Sequence, residues 1–370
     1  MSGRKVGVEE ELLLVDPETG ELANAAGHVL HEHRTEHHDE ERPAAQELEG
    51  ELLRHMVETH TDPSYDLAQI ARELREARRT ALVAAEESGF ELAAVATPPL
   101  GTPEPGVSAN PRYERIVAEF GVVGRRAGTL GMHVHVDIAD DEEGVRVIDA
   151  LRPWLPVLVA LSANSPYAVS QDTGYASWRY QMWGGWPSAG IVEPFGTVAE
   201  YRRVSRQLID MRAALDPAML YYDARLSEQY PTVEIRVADT CTEVDDALVV
   251  VALARALVET AASEPPVGDP PRSDLLRAAA WRASREGLAG DLVHPTTWEL
   301  VPAFDAVGAL VRHVSESLEA TGDADLVAEG IERLRATGNG ARRQRAAFER
   351  SGDLRAVVAD LVDRTRRSTA

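Results

Sequence analysis

The chain has 370 residues, 44% of them hydrophobic, so it can bury a full core as one large domain or two modest ones. Its formal net charge of −23 argues against nucleic acid or an anionic membrane as partner, because both bind basic surfaces. The longest apolar stretch, 247–258, is too short to span a bilayer and contains Arg255. The N-terminus lacks the apolar core of a signal peptide, and we expect a cytoplasmic location.

Two residue types are almost absent from the sequence. Cys241 is the single cysteine, which excludes an intrachain disulfide and a cysteine-built zinc site and fits a reducing compartment. Lys5 is the single lysine, so a phosphate-binding loop of the GxxxxGK[ST] type cannot be written and a kinase-like catalytic lysine is not expected. If the protein handles ATP, arginines and metal ions must neutralise the phosphates.

Hydrophobic patterning predicts a mixture of strands and helices. Apolar alternation marks strands, in chain order, at 6–14, 91–96, 131–138 and 232–238. A helical period predicts helices at 65–88, 111–128, 143–163, 197–215 and 243–262. The strands are separated by helical pairs of uneven length and not by a regular βαβ repeat. This pattern favours an α+β fold with a largely antiparallel sheet backed by helices.

The prolines of 264–274 predict a loop, after which the chain is expected to be helical to its end, with a break at 338–340. We interpret the protein as a single catalytic domain, 1–370. Its sheet-rich portion is 1–263, and its helical C-terminal portion, 275–370, packs on the same domain. A domain boundary at the proline-rich loop is the alternative.

Four histidines, His31, His33, His37 and His38, fall in the charged stretch 31–43. A histidine-rich tract can bind metal. This one has interspersed charges and no apolar anchor, which is more typical of a solvated loop.

The first strand, GVEEELLLVD, carries two acids on one face. Alternation puts Glu9 and Glu11 on the same side, about 7 Å apart for two rises of ~3.3 Å. Carboxylates this close repel each other, so if the site is enclosed they require cations between them. The other interpretation is a charged edge strand that resists aggregation.

The second strand, GMHVHVDI, has the cleanest alternation in the chain. His133, His135 and Asp137 share one face, and four apolar residues form the other. A lone histidine is more often structural, but two beside an aspartate on one face favour a functional role about as strongly as a structural one.

The third strand, TVEIRVADT, places Glu234 and Arg236 on one face. Alone, this pair would be interpreted as a surface ion pair that contributes little to stability. Three such strands in a common sheet would gather their polar faces into one concave site. Carboxylates with one imidazole are hard ligands that suit Mg²⁺ or Mn²⁺, and metals of this kind with nearby arginines suit the phosphates of ATP.

Five blocks carry a resemblance to a known family. They are GVEEELLLVD, GMHVHVDI, LRPWLPVLVALSANSP at 151–166, SWRYQMW at 177–183 and TVEIRVADT. In order and rough spacing they resemble the glutamate–cysteine ligase type 2 family, which includes the YbdK-like carboxylate–amine ligases. The resemblance runs from residue 6 to about 260 and continues weakly in the basic segment 341–350.

The resemblance implies a glutamine-synthetase-like catalytic fold, with a curved, mainly antiparallel sheet forming a funnel for ATP and amino acid substrates. The metal ligands it implies are Glu9, Glu11, Glu58, His133 and Glu234, with Glu51 as a less certain candidate. It also implies that Arg225 and Arg236 contact phosphate or acyl-phosphate and that Arg179 anchors a substrate carboxylate.

The reaction implied by the resemblance has two steps. The side-chain carboxylate of glutamate attacks the γ-phosphorus of ATP, and an amine, cysteine by family default, then displaces phosphate from the acyl-phosphate. The resemblance thus implies ATP and Mg²⁺ or Mn²⁺ as cofactors, and it leaves a homodimer open. Arginines would lie where charge develops on the transferring group.

The sequence departs from the family pattern at three positions. Leu226 stands where the family has proline after the block that ends in Arg225, and Gln229 stands near a usual arginine. Pro98 stands where relatives carry histidine. We expect these changes around the substrate pocket, where they put the identity of the amine in doubt.

Two other functions remain open at this stage. A metal-dependent hydrolase could use His133, His135 and Asp137 without ATP, and a catalytically silent relative could retain the sheet. Trp178, Trp183 and Trp186 could form an aromatic wall at the site, although core or lid packing is the commoner role of such residues. Cys241 has no recognisable base partner, so nucleophilic catalysis is not expected.

Overall fold

The structure, a computed structural model, describes residues 3–36, 43–101, 106–126, 128–263 and 270–370. The strands are β1 (Val6–Val15), β2 (Glu49–Gly50), β3 (Met56–His60), β4 (Glu91–Ala93), β5 (Gly131–Asp137), β6 (Tyr167–Ala168), β7 (Gln171–Asp172), β8 (Ala224–Leu226), β9 (Thr232–Asp239), β10 (Asp291–Val293) and β11 (Leu300–Pro302). The α-helices are α1 (Ala26–Glu36), α2 (Leu67–Glu87), α3 (Pro111–Phe120), α4 (Val122–Arg125), α5 (Asp141–Leu151), α6 (Leu155–Ser162), α7 (Trp178–Trp183), α8 (Val198–Asp210), α9 (Val244–Ser263), α10 (Ser273–Glu286), α11 (Ala303–His313), α12 (Ser315–Thr321), α13 (Ala324–Thr337), α14 (Gly340–Ser351) and α15 (Leu354–Arg367).

Seven strands form the main sheet. Its order is β2-β3-β1-β5-β9-β8, and β4 pairs with the far end of β1. Neighbouring strands run antiparallel throughout this sheet. The predicted α+β class with a mainly antiparallel sheet is therefore confirmed. The three strands predicted to carry polar faces, β1, β5 and β9, are direct neighbours.

One face of the main sheet is apolar and lies under helices. Val8, Val134 and Ile235, from three adjacent strands, are buried in a core shared with apolar residues of α2, α5, α6 and α9. Because side chains alternate across a strand, burial of this face turns Glu9 and His133 to the opposite face. The hydrophobic pattern thereby fixes which residues reach the polar face.

The apolar stretch 247–258 belongs to α9, whose residues are buried almost all round. A helix of this kind belongs to a protein core. Arg255 is buried within it, forms an ion pair with Asp323 and donates a hydrogen bond to the carbonyl oxygen of Tyr65 at 2.6 Å. Among the described helices, none combines the length and the apolar character that a bilayer crossing needs.

A buried ion pair interrupts the apolar face at Glu10. Both Glu10 and Arg78 of α2 are fully buried, and the guanidinium donates to the two carboxylate oxygens at 2.7 and 2.8 Å. Arg78 also donates to the carbonyl oxygens of Cys241 and Thr242, each at 2.7 Å. These bonds tie β1 to α2 and to the connection between β9 and α9.

The C-terminal helices dock on the sheet-rich portion through amides. The Gln344 side chain donates to the backbone and side-chain oxygens of Asn164 at 3.0 and 2.8 Å. The Asn339 side chain donates to the carbonyl oxygen of Ala160 at 2.9 Å. Such contacts are those expected if residues 1–370 form a single catalytic domain, which stays a prediction.

Gly340 begins α14 and packs so closely on the side chain of Asn164 that a Cβ cannot fit. Gly340→Ala should therefore force a shift at this junction and lower the free energy of unfolding by about 1–3 kcal/mol. The midpoint of urea unfolding measures the loss. The control is Gly27→Ala in α1, where a Cβ meets no atom within 4 Å; equal stability of the two variants would contradict the prediction.

Two predicted helices are divided in the structure. The predicted helix 143–163 is wrong as a continuous element: α5 ends at Leu151 and α6 begins at Leu155, because Pro153 lacks the N–H that an uninterrupted helix needs. The predicted helix 111–128 is divided by Gly121, which has a φ of 57°.

Several short strands were not predicted. β3 and β8 join the main sheet, and β10 and β11 form a ribbon inside the C-terminal portion that was expected to be helical. The predicted solvated loop at 31–43 is wrong for residues 31–36, which belong to α1. His33 is buried there, with its Nε2 3.1 Å from the carbonyl oxygen of Gln46. His37 and His38 lie outside the described residues.

Candidate active site

A cavity of about 950 Å³ lies against the polar face of the main sheet. The predicted residues on its wall are Glu9, Glu11, Glu51, Glu58, His133, His135, Asp137, Arg225, Glu234 and Arg236. Strand register brings them together: Glu9 lies opposite His133 and Glu11 opposite Glu58. The sheet thus gathers side chains that are up to 227 positions apart in the chain, as Glu9 and Arg236 are.

Glu9, His133 and Glu234 form the centre of the site. One ligand atom from each lies within 4.8 Å of the other two. Glu9 Oε2 is 3.3 Å from His133 Nδ1, and Glu9 Oε1 is 3.1 Å from His135 Nε2. Two carboxylates and an imidazole therefore converge from three adjacent strands.

The ionisation of this centre suits a cation. Burial and then the nearby Arg236 lower the pKa of His133 to about 4, so its imidazole is neutral near pH 7 and can act as a ligand. Burial opposes ionisation of Glu9, but its contacts with His133 and His135 outweigh this and lower its pKa. Burial also opposes ionisation of Glu234, and the charges of Arg236 and Arg225 lower its pKa in turn.

Three further acids beside this centre have raised pKa values. Burial, followed by the charge of Glu51, raises the pKa of Glu11 to about 7, and its carboxylate accepts a hydrogen bond from the N–H of Gly131 at 2.5 Å. Burial and then the charges of Glu51, Glu9 and Glu11 raise the pKa of Glu58 well above its usual value. Burial raises the pKa of Glu51 as well. Cations between these carboxylates would let them ionise.

The donor set fits a hard divalent cation such as Mg²⁺ or Mn²⁺. Carboxylate oxygens dominate it and only one imidazole joins them, whereas sites for softer metals use thiolates or several imidazoles. Glu9, His133 and Glu234 would hold one ion, and Glu11, Glu51 and Glu58 offer oxygens for more. The geometry therefore allows the ligand set that the resemblance implies.

Two arginines converge on Glu234. The Arg225 guanidinium donates to both carboxylate oxygens, at 2.7 and 3.2 Å, and Arg236 forms an ion pair with the same group. Both arginines line the cavity, and Arg236 Nε is buried without a hydrogen-bond partner among the described residues. An anion in the cavity would give that N–H an acceptor.

Arg179 lies behind the cavity wall. Its side chain is buried, and Nη2 donates to the carbonyl oxygen of Arg236 at 3.2 Å. The guanidinium rests against Gly131, where a Cβ would overlap it, and its centre is 5.5 Å from the Trp183 ring centroid. A role for Arg179 as substrate anchor stays a prediction, and in this structure it can support Arg236 directly.

Aromatic rings form part of the cavity wall. Trp183, Trp186 and Tyr221 line it and contact one another, with ring centroids 4.6–6.5 Å apart. Trp178 instead packs on Tyr175 and does not line the cavity. Trp183 Nε1 is buried and, within the described ranges, donates to no protein group. The wall therefore offers a hydrogen-bond donor to a ligand.

Other residues line a different part of the cavity. Lys5 and Asp137 line it, and alternation along β1 places Lys5 on the same face as Glu9. His135 Nδ1 lies 3.0 Å from the hydroxyl oxygen of Thr232. Of the positions that depart from the family pattern, Gln229 lines the cavity. The expectation that Leu226 and Pro98 also surround this pocket is wrong, since neither lines it.

Sequence reasoning missed several lining residues. Extending the alternation of β1 by two residues towards the N-terminus would have found Lys5. Arg112 and Tyr113 at the start of α3 and Tyr221 before β8 give no such signal. They reach the cavity through contacts distant in sequence, which no local pattern reports.

Asp223 is a buried acid next to the site whose titration can be tested. Burial raises its pKa to about 7, and its carboxylate accepts a hydrogen bond from the Tyr180 hydroxyl at 2.8 Å. Unfolded aspartates titrate near pH ~4, so the folded state holds this proton more tightly than the unfolded state does. Because of this group, the free energy of unfolding is expected to fall progressively as the pH rises from about 4 to about 7.

Asp223→Asn should remove this pH-dependent loss while keeping an oxygen that accepts from Tyr180. The free energy of unfolding, measured by urea titration at several pH values, should fall less steeply with rising pH than in the wild type. Asp210→Asn, at an exposed position, is the control and should leave the slope unchanged. Parallel curves for Asp223→Asn and the wild type would refute the prediction.

Known proteins match this chain over nearly its whole length. The model of "Glutamate-cysteine ligase family 2" matches residues 5–360. A protein named "Putative glutamate--cysteine ligase 2-1" from Nocardioides sp. is 53% identical, over 99% of this chain and 97% of that protein. One of the same name from Streptomyces avermitilis is 46% identical, over 98% of this chain and 99% of that protein.

Solved structures show the fold. A glutamate–cysteine ligase from Francisella tularensis in complex with AMP has a TM-score of 0.68 at 12% identity, covering 100% of this chain and 93% of that one. The ligase PafA in complex with the protein Pup has a TM-score of 0.57 at 12% identity, covering 97% and 72%. The predicted glutamine-synthetase-like fold is confirmed by these neighbours, and the chain belongs to glutamate–cysteine ligase family 2.

Proposed function

We propose that this protein is an ATP-dependent carboxylate–amine ligase that activates the side-chain carboxylate of glutamate as an acyl-phosphate and couples it to an amine. Cysteine, which would give γ-glutamylcysteine, is the first candidate amine. The observation that carries the proposal is the convergence of Glu9, His133 and Glu234 beside three buried acids with raised pKa values and two arginines. Membership of the family supports the same class of reaction. We also propose a cytoplasmic location.

The proposed reaction has two balanced steps. A glutamate carboxylate oxygen bonds to the γ-phosphorus of ATP as the bond from that phosphorus to the β–γ bridging oxygen breaks, and ADP leaves. The amine nitrogen then bonds to the acyl carbon, phosphate leaves with the carbon–oxygen bonding pair, and the nitrogen loses a proton. Mg²⁺ or Mn²⁺, when bound, would offset negative charge on the phosphates.

The residues of the chain position and screen these groups. Arg225 and Arg236 already lie at Glu234, so their charges are fixed where phosphate oxygens would approach, and little reorganisation is needed. Trp183 and Tyr221 line the cavity, and we infer that their rings limit the access of water to an acyl-phosphate. We propose that Arg179 binds a substrate carboxylate or holds Arg236 in place for that purpose.

The hydrolase alternative has less support. It needs His133, His135 and Asp137 to share metals, but His135 contacts Glu9 and Thr232, and Asp137 lies near Lys5. Within the described residues, only His133 among these three belongs to a cluster that could hold a metal together with Glu9 and Glu234. A silent binding relative would bind ATP without turnover.

The decisive experiment measures phosphate release from ATP and glutamate across a panel of amines, with Mg²⁺ or Mn²⁺ and with EDTA. We expect release only with the metal, glutamate and a suitable amine, and ATP should raise the thermal unfolding temperature only when a divalent cation is present. Metal-dependent hydrolysis without ATP would replace the ligase with the hydrolase. ATP binding without turnover of any amine would favour a silent relative.

A further inference from the structure

A second cavity, of about 450 Å³, lies where α9, α13, α14 and α15 meet. It shares no described lining residue with the candidate active site. Five arginines line it, and we call it the arginine pocket: Arg333, Arg342, Arg343, Arg350 and Arg364. In a chain with a net charge of −23, such a concentration of guanidinium groups is a local reversal of charge.

The acids around the arginine pocket are already engaged. Asp246 is buried and accepts hydrogen bonds from Arg343 at 2.5 Å and from Arg333 at 3.2 and 3.3 Å. Glu243 accepts from Arg364 at 3.0 Å. These acids hold the guanidinium groups in place. Asp245, which also lines the pocket, pairs with Arg75, and Asp360 pairs with Arg364, so among the described residues four acids accompany the five arginines and leave positive charge in excess.

The guanidinium groups that pair with these acids still have unused N–H donors. Arg333 uses Nε and Nη2 on Asp246, and Arg343 uses its two terminal nitrogens on Asp246 and Thr337. Arg364 uses Nε and Nη1 on acids. A guanidinium has five N–H donors, so each of the three keeps hydrogens that no described protein group accepts.

Arg342 and Arg350 supply the uncompensated charge. Both are exposed on α14, and the side chain of Arg342 forms no ion pair or hydrogen bond with the part of the chain that the structure describes. Within the described ranges, the only ion-pair partner of Arg350 is Asp360, at 4.0 Å. Exposed ion pairs of this length contribute little, so the charge of Arg350 also remains available to a ligand.

We propose that the arginine pocket binds a small phosphate-bearing anion. Planar guanidinium groups donate two parallel hydrogen bonds to phosphate oxygens, and several converge here on one cavity. A volume of about 450 Å³ exceeds the space of a single phosphate and lies within the usual range for small-molecule sites, which favours a diphosphate or a nucleoside monophosphate. The proposal stands independently of the ligase function.

The test is calorimetric titration of the full chain with pyrophosphate, and separately with AMP, in EDTA so that no metal recruits anions to the active site. We expect saturable one-to-one binding of at least one of the two probes by the wild type. Arg342→Gln combined with Arg350→Gln should weaken it about tenfold or more, since hydrogen bonds to charged groups are the strong ones. Comparing the probes separates a diphosphate site from a nucleotide site.

A matched control separates the pocket from general electrostatics. Arg206→Gln combined with Arg277→Gln removes the same charge from exposed positions outside the pocket and should leave binding within about twofold of wild type. Thermal unfolding at unchanged temperature verifies that both double variants are folded. Absence of saturable binding, equal weakening in both variants, or full binding by the Arg342 and Arg350 variant would each overturn the proposal.

Discussion

Glu9→Gln should lower the rate of ATP turnover roughly a hundred- to a thousandfold, about 3–4 kcal/mol in the activation barrier, and leave the fold intact. The carboxylate faces His133 and His135 on β5, so the substitution removes a charge from the centre of the proposed metal site. The neutral amide fits the same space but is a much weaker ligand for Mg²⁺. Steady-state phosphate release and calorimetric Mn²⁺ binding measure the two effects.

The control for this substitution is Glu228→Gln. Glu228 also lines the cavity, but it is exposed at the rim and belongs to no cluster of potential metal ligands among the described residues. It should retain activity within a few-fold of wild type. If Glu9→Gln keeps full turnover with unchanged Mn²⁺ affinity, Glu9 is not a metal ligand.

Arg78→Met should cause the largest loss of stability, about 3–5 kcal/mol in the free energy of unfolding. The substitution leaves the Glu10 carboxylate buried without its partner and removes the donor to the carbonyl oxygens of Cys241 and Thr242. A buried carboxylate without its partner lowers the free energy of unfolding by more than the intact ion pair raises it. Urea unfolding followed by circular dichroism measures the loss.

Two further variants test whether this loss comes from the buried, unpaired Glu10 carboxylate. Arg72→Met lies on the same helix at an exposed position and should change stability by less than about 0.5 kcal/mol. Adding Glu10→Gln to Arg78→Met should recover part of the stability, because it removes the unpaired charge. A loss below about 1 kcal/mol for Arg78→Met alone would contradict a buried, unrelieved carboxylate.

The Glu10–Arg78 pair also bears on activity. Glu10 lies between Glu9 and Glu11 on β1 and points to the opposite face, so its bonds to α2 hold the register in which the two neighbours face the cavity. A one-residue slip of a strand would exchange its faces. Alternation along β1 puts Glu10 on the face opposite Glu9, but no local pattern indicates its partner Arg78.

Alternation within single strands is local information, so it can be predicted from the sequence alone. Period-two patterns put Glu9 with Glu11 and Glu234 with Arg236 on polar faces, and burial of the opposite faces keeps them there. The same patterns indicated an antiparallel α+β fold. Because Lys5 is the single lysine, the sequence also indicates arginines as the partners of phosphate.

Which polar faces meet depends on the tertiary structure. The order β3-β1-β5-β9-β8 and its register place Glu58 opposite Glu11 and Arg225 opposite Glu234. The arginine pocket likewise forms where α9 meets the consecutive helices α13, α14 and α15, which lie much later in the chain. Such pairings are set by packing between segments far apart in sequence, and no local period encodes them. The acidic strand faces can therefore be predicted from the sequence, whereas the site that they form depends on how the strands and helices pack.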